Sequence, residues 1–311
     1  MKITFCLPNH NYKSPIGGYK MVYEYANRLV ERGHSVNIVF CTKDSLKKYL
    51  LPSSIRHVLS QYIVSKSPKW FALDERVNKV AAQEISDEFI PNADIVIATA
   101  AQTALPISRL NQDKGKKAYF IQDYEKWVVT EKDLLMTYQL NMINITVSKW
   151  LYEIVSKYQK KNTYCIQNPI DIRVYKIYTK PEKRYKFCIG MLYHDAEYKG
   201  CRYALEAIMN LKKKYTEIEL FMFGNPELPA EYKHDWIHYT QHATTENVVE
   251  IYNRCAIFVC ASVEEVLDAV KDYDDNDIYV IGGGEIYKEF LPYCDVAHIT
   301  KIDYKYDADT Y

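Results

Sequence analysis

Two stretches of this chain put glycines where a strand-like run meets a helix-like one, a junction suited to holding phosphate. Gly17 and Gly18 close a polar loop that begins at Pro8, and Gly282, Gly283 and Gly284 stand between the apolar run Ile278 to Ile281 and the periodic run Glu285 to Leu291. Without a β-carbon, backbone N–H groups can approach an anion, and the positive end of the helix dipole favours it. A tight strand–helix turn explains each pattern equally well. The Gly17–Gly18 pair also lacks the G-x-G-x-x-G spacing of a dinucleotide fingerprint. Gly224 and Asn225 follow the run IELFMF, Gln102 and Thr103 follow ADIVIATA, and Gln122, Asp123 and Tyr124 follow KAYFI. Residues that leave the carboxyl ends of parallel strands face ligands in open α/β sheets. Helix capping by Asp123 and ordinary loop polarity are the alternatives. His234 and His238 have i, i+4 spacing, but Trp236 and the extended run around it argue against a metal-binding helix. No acidic third ligand has suitable spacing, so no metal is expected.

The elements that must carry these residues alternate. Lys2 to Leu7 and Ser35 to Cys41 read as strands flanking a helix from Tyr19 to Arg32. That helix has apolar residues at Val22, Tyr25, Ala26, Leu29 and Val30, and Gly33 closes it. Ala93 to Ala98, Lys117 to Gln122, Asn144 to Val147 and Tyr164 to Gln167 read as further strands, with Ser148 as the N-cap of a helix. Periodicity then lapses into a Pro- and Lys-rich passage from Asn168 to Arg184. A second alternation follows: strand Tyr185 to Leu192, helix Cys201 to Tyr215, strand Ile218 to Phe223, short extended run Trp236 to Tyr239, helix Thr245 to Asn253 and strand Ala256 to Cys260. The expected class is α/β, with two doubly wound, Rossmann-like domains over 1–168 and 169–261. From Ser262 the chain still alternates, opening on an S-x-x-E capping box with Glu265. This last part, 262–311, is expected to dock as a continuation of the second sheet.

Bulk properties narrow the partners. With 311 residues there is length for two cores, and 40 basic residues balance 40 acidic ones, so no global field favours nucleic acid or an anionic membrane. Lys157, Lys160 and Lys161, and the run Lys212 to Lys214, are either solvated helix ends or local phosphate or membrane contacts. The 8 cysteines are scattered without a C-x-x-C pair, as suits reduced, buried thiols. No run reaches the roughly 18 apolar residues of a membrane span. The expectation is a soluble, cytoplasmic protein with at most peripheral membrane association.

Several segments, in order, resemble family-4 glycosyltransferases of the GT-B fold. PIGGYKMVYEYANRLVERGHSVNIV is similar to their N-terminal signature. ADIVIATAAQTALPI, KAYFIQDYEKW, ITVSKWLYEIV and IQNPID resemble a rhamnosyltransferase-like branch, and IGMLYHDAEYKGCRYALEAI resembles the donor-phosphate segment. The resemblance spans roughly residues 1–261. It implies that Gly17 and Gly18 lie near the donor diphosphate and that Gln102, Thr103, Gln122, Asp123 and Tyr124 are on the acceptor or sugar side. It also implies that Lys199, with Gly200, neutralises the diphosphate as negative charge builds on the leaving group. An exposed helix-start lysine is the alternative for Lys199. Gly224 would approach the nucleotide, and His194 either shares in phosphate binding or is solvated. The family's glycine-rich E-x7-E segment should follow IFVCAS, yet VEEVLDAVKDY stands there with no second glutamate at that spacing. The family's closing strands and returning helix are also not found, so the resemblance implies a half-built donor pocket.

Residues 262–311 resemble the C-terminal part of dihydrofolate reductase. There Gly282, Gly283 and Gly284 would border the NADPH phosphates, Tyr287 the nicotinamide, and Thr300 would support the pterin-binding carboxylate; a plain turn with a solvated tyrosine is the alternative. The reductase's catalytic N-terminal half has no counterpart in the sequence, and NADPH is expected only if this remnant binds it. The combined expectation is a retaining glycosyltransferase that needs no cofactor. It would move a sugar, rhamnose being one possibility, from a dTDP- or UDP-sugar to a cell-surface glycan, with turnover weakened by the missing acids. A vestigial reductase and a non-catalytic chimera are the alternatives.

Overall fold

The computed structural model describes residues 1–10, 15–44, 46, 49, 52–196 and 199–260. It divides into two units, Met1–Asp171 and a second beginning at Ile172. The expected 262–311 extension lies outside the described residues.

The first unit is built on a seven-stranded parallel sheet. Its strands are β1 (Lys2–Leu7), β2 (Ser35–Cys41), β3 (Asn78–Ala82), β4 (Ile95–Ala98), β5 (Lys116–Ile121), β6 (Ile143–Thr146) and β7 (Thr163–Cys165), in the order β3-β2-β1-β4-β5-β6-β7. β1 and β2 are buried along nearly their whole length because helices cover both faces, which is why they read as unbroken apolar runs. On one face, Val22, Tyr23, Ala26 and Val30 of α1 (Gly17–Glu31) pack on Ile3, Phe5 and Leu7. On the other, Ala104 and Ile107 of α3 (Ala101–Ser108) and Leu151 and Val155 of α5 (Lys149–Ser156) pack around Cys6, Val96 and Ala98. Ser148 caps α5 as expected, its hydroxyl accepting from Leu151 N–H at 3.2 Å.

The sequence reading has no counterpart for α2 (Ser53–Ser65) or for β3. The Gln61 side chain joins them like an extra strand residue: Oε1 accepts from Ala81 N–H and Nε2 donates to the Lys79 carbonyl, both at 2.8 Å.

The second unit has a four-stranded parallel sheet: β8 (Tyr185–Tyr193), β9 (Glu219–Gly224), β10 (Ile237–Gln241) and β11 (Cys255–Val259), in the order β10-β9-β8-β11. Ala204, Leu205 and Ile208 of α6 (Cys201–Lys214) cover Ile189, Met191, Leu220 and Met222. Lys212 closes that helix, donating from Nζ to the carbonyls of Thr216 and Ile218 at 2.8 and 2.7 Å, so this lysine serves as a helix end. Cys188 and Cys255, buried in neighbouring strands, bring their Sγ atoms to 3.4 Å as free thiols.

Asn253 of α7 (Thr245–Arg254) fastens the passage that enters this unit. Its Oδ1 accepts from Tyr178 and Thr179 N–H at 2.6 and 3.2 Å, and its Nδ2 donates to the carbonyls of Lys176 and Val249, both at 2.9 Å. Every donor and acceptor position of a buried amide is used, so Asn253→Ala leaves several backbone groups unpaired. We expect a loss of about 3 kcal/mol, read as a lower urea midpoint, with faster proteolysis in the 172–184 passage.

Candidate functional site

In the first unit, strand order reverses at β1 and β4, and open parallel sheets bind ligands outside the carboxyl ends of such strands. Thr99 ties the two ends together, its Oγ1 donating to the Cys6 carbonyl at 2.7 Å. Beside them α1 begins at Gly17 with no acidic residue in its first turn and, among the described residues, no side chain capping it, so its N-terminus suits an anionic acceptor. A β-carbon on Gly17 would meet nothing within 4 Å, whereas one on Gly18 would sit 3.3 Å from Gln122 Nε2. That same Nε2 donates to the Gly18 carbonyl at 3.2 Å. The structure therefore brings Gln122 and the glycine pair together.

The other residues expected at this edge divide. Gln102 is exposed on the first turn of α3. Thr103 is buried; its Oγ1 accepts from Thr99 and Ala100 N–H and donates to the Ala100 carbonyl at 2.7 Å. Thr103 thus holds the β4–α3 turn and does not present its hydroxyl to a ligand. Asp123 Oδ1 accepts from Tyr124 N–H at 2.8 Å, and the Tyr124 hydroxyl donates to Glu131 at 2.6 Å, where α4 (Glu131–Thr137) begins.

Two residues at this edge escaped the sequence reading. Glu125 Oε2 accepts from Ala101 N–H at 2.6 Å, placing a half-buried carboxylate at the start of α3. Burial above all, then the neighbouring Asp123, pushes its carboxyl up to about 7, against the pull of the Ala101 N–H. Its only sequence signal was an acid two places beyond Asp123. His10, just past β1, has its Nε2 2.7 Å from Ser67 Oγ and its ring edge-on to Phe40; burial lowers its pKa.

In the second unit the order reverses at β8 and β11. β8 runs into a loop whose Lys199 and Gly200 lead into α6; Gly200 takes the left-handed conformation, φ 63°, as the residue preceding the helix. His194 Nδ1 accepts from Ala196 N–H at 2.9 Å, and its backbone N–H points to Cys201 Sγ at 3.3 Å, so this histidine organises the loop. A cavity of about 310 Å³ lies against the loop, lined by Tyr193, His194, Arg202, Tyr203 and, from beyond β9, Pro229 and Tyr232. The β-carbon position of Gly224 is filled by the Tyr193 carbonyl oxygen at 2.3 Å, so strand packing requires a glycine there.

Among the described residues, no three His, Cys, Asp or Glu side chains gather as a metal site, and no helix is long and apolar enough to cross a membrane. His238 contacts Glu219 at 2.6 Å, and His234 stacks on Trp236. Gly282, Gly283, Gly284, Tyr287 and Thr300 lie outside the described residues.

Residues 183–271 match the family model described as Glycosyl transferases group 1, and residues 243–311 match that of Dihydrofolate reductase. The dihydrofolate reductase of Haemophilus influenzae is 40% identical over 50 residues, which cover 16% of this chain and 30% of that protein. The bifunctional dihydrofolate reductase-thymidylate synthase 1 of Arabidopsis thaliana is 41% identical over 75 residues, covering 22% of this chain and 13% of that one. The chain thus spans less than a third of the length of these relatives. Among solved structures, TarM aligns with a TM-score of 0.57 at 10% identity, covering 94% of this chain and 90% of that one. The catalytic domain of starch synthase IV from Arabidopsis thaliana, bound to ADP and acarbose, gives 0.52 at 10% identity, with 84% and 78% covered. An alpha-glucosyltransferase in complex with UDP and a 13-mer DNA gives 0.51 at 14% identity, with 83% and 71% covered. At such identities the structural likeness speaks for the fold alone. The chain carries the parallel α/β units of a GT-B glycosyltransferase fold, and its terminal segment is matched by dihydrofolate reductase.

Proposed function

We propose that this chain binds a nucleoside diphosphate sugar as a GT-B glycosyltransferase does, with Lys199, Gly200 and the start of α6 receiving the diphosphate. The observation that carries this reading is the match of residues 183–271 to the glycosyl transferases, which runs across the β8–loop–α6 junction. A helix N-terminus preceded by a lysine and a left-handed glycine suits a diphosphate electrostatically. UDP and ADP accompany two of the fold's solved relatives. The finer reading is a sugar such as rhamnose passed from a dTDP- or UDP-donor to a cell-surface glycan, in a chain at home in the cytoplasm. Turnover is expected to be weak, because VEEVLDAVKDY follows β11 where the donor-contacting carboxylates are expected.

Titration calorimetry with UDP and dTDP, and release of nucleoside diphosphate from their sugars, test this. Binding is expected, weakened roughly tenfold by Lys199→Ala, which removes a charge-assisted contact to phosphate. Release is expected to be weak, at or little above the rate of the protein-free control. Absence of any nucleotide binding would overturn the donor reading, and vigorous release would overturn the importance of the missing acids.

The match of residues 243–311 supports a second reading, a vestigial reductase segment in a chimeric chain that retains an affinity for NADPH. Oxidation of NADPH on addition of dihydrofolate, followed by absorbance, separates it from the first; no oxidation is expected.

A further inference from the structure

Cys188 in the middle of β8 and Cys255 at the head of β11 meet across neighbouring strands, their Sγ atoms 3.4 Å apart. A disulfide is about 2.05 Å long, so the two sulfurs need to close by little more than an ångström. The strands that carry them are paired in parallel, with a shift of register between Cys255 and Ile257. Gly190 leaves open the space that the second thiol enters: a β-carbon there would lie 3.1 Å from Cys255 Sγ.

Both thiols are buried, at 2 and 3% exposure, but among the described residues their cover is thin. They share a small cluster with Ile251 of α7, edged by the half-buried rings of Phe221, Phe223 and Phe258. The other face of the same sheet rests on a far larger apolar cluster built on α6. Among the described residues β11 is an edge strand, and α7 ends where it begins, at Cys255. A small cluster at a sheet edge opens locally at a fraction of the cost of global unfolding. Burial raises the pKa of both thiols, so they stay protonated until such an opening admits water.

We propose that Cys188 and Cys255 are a peroxide-sensitive dithiol that closes into a reversible disulfide and pins β11 to β8. In the opened cluster one thiolate attacks hydrogen peroxide: an S–O bond forms, the O–O bond breaks, and the leaving hydroxide takes up the proton that thiol released and departs as water. The second thiol then attacks the sulfenic sulfur. An S–S bond forms, the S–O bond breaks, and a second water leaves with that thiol's proton. Two electrons pass from the sulfurs to the peroxide, and a dithiol reductant returns them by thiol–disulfide exchange. The bond would close the chain across the 67 positions that separate the two cysteines, a loop that takes in α6, β9, β10 and α7. That loop carries most of the second unit's core, so oxidation constrains the unfolded chain and stabilises the native unit.

The test uses the full chain with Cys165→Ser and Cys260→Ser, which remove two exposed thiols. The folded protein is treated with hydrogen peroxide, its remaining thiols are alkylated, and it is digested without reduction. Mass spectrometry is expected to find a peptide that joins Cys188 to Cys255. The urea midpoint of the second unit should rise by about 1 M on oxidation and return on addition of dithiothreitol. Cys188→Ala in the same background should show neither change, and the peptide assignment itself needs no substitution at the pair. Peroxide that leaves both thiols reduced while other cysteines are oxidised would overturn the proposal. So would a disulfide from either member of the pair to a third cysteine such as Cys294, or a Cys188–Cys255 bond that leaves the midpoint where it was.

Discussion

Placing a single methyl group at position 224 should strongly destabilise the second unit. Gly224 ends β9 opposite Tyr193 of β8, and the two strands are in parallel register from Cys188↔Glu219 to Tyr193↔Gly224. An alanine Cβ would lie 2.3 Å from the Tyr193 carbonyl oxygen and 2.9 Å from the Tyr239 hydroxyl. Neither obstacle can easily give way. The first is backbone of the central strand, and the second is held by donation to the Pro226 carbonyl at 2.6 Å. Gly224→Ala should therefore cost about 3 kcal/mol or more, a large share of the stability of a four-stranded unit. Urea unfolding followed by circular dichroism should show the second unit's transition displaced to low denaturant while the first unit's remains. Gly17→Ala is the control, because nothing stands within 4 Å of its β-carbon position, and its midpoint should scarcely move. Equal effects of the two substitutions would mean that packing does not distinguish these glycines.

The contrast marks the reach of local sequence patterns. Both glycines follow strands, and by sequence both suggest an approach for a phosphate. The difference between them is a carbonyl oxygen contributed by a strand some thirty residues away, and no local pattern carries that information. Elements buried on both faces were legible: Lys2–Leu7 and Ser35–Cys41 have the bounds their apolar runs predict. α1 begins at Gly17, two residues before its apolar periodicity, because the glycines themselves form its first turn. α2 and β3 were not legible, since the helix turns its apolar row outward and the strand is an edge, paired with β2 on one side and with the Gln61 side chain on the other. The site was partly legible for the same reason. Strand ends pointed to Gln122, while the burial of Glu125 depends on α3, which starts two dozen residues earlier in the chain.

The two family matches overlap over residues 243–271, on either side of the change expected near Ser262. The described part of that overlap holds α7 followed by β11, which among the described residues are the last helix and an edge strand of the second sheet. A capped amphipathic helix feeding a short parallel strand is a unit that any doubly wound sheet uses, so similarity there does not discriminate between two α/β families. Beyond β11 the match to glycosyl transferases runs on to residue 271, and from there to residue 311 the match is to dihydrofolate reductase.

Removing the charge of Glu125 should stabilise the first unit, and only above a defined pH. Burial, with Asp123 beside it, raises this carboxyl from 4.5 to about 7 although it accepts the Ala101 N–H. Below about pH 4.5 the folded and unfolded chains both hold the proton, and the group costs nothing. As pH rises toward 7 the unfolded chain releases its proton while the folded one retains it, so stability falls; above about 7 the full penalty applies, roughly 3 kcal/mol. Glu125→Gln keeps a carbonyl oxygen for Ala101 N–H and abolishes the ionisation. At about pH 8 the variant should melt roughly 6–12 °C above the unchanged protein, and at about pH 4 the two should melt together. Their difference, plotted against pH, should rise between those limits with its midpoint set by the two carboxyl pKa values. A difference independent of pH would show that the Glu125 carboxylate ionises as it would in water, and that α3 begins beside an ordinary surface acid.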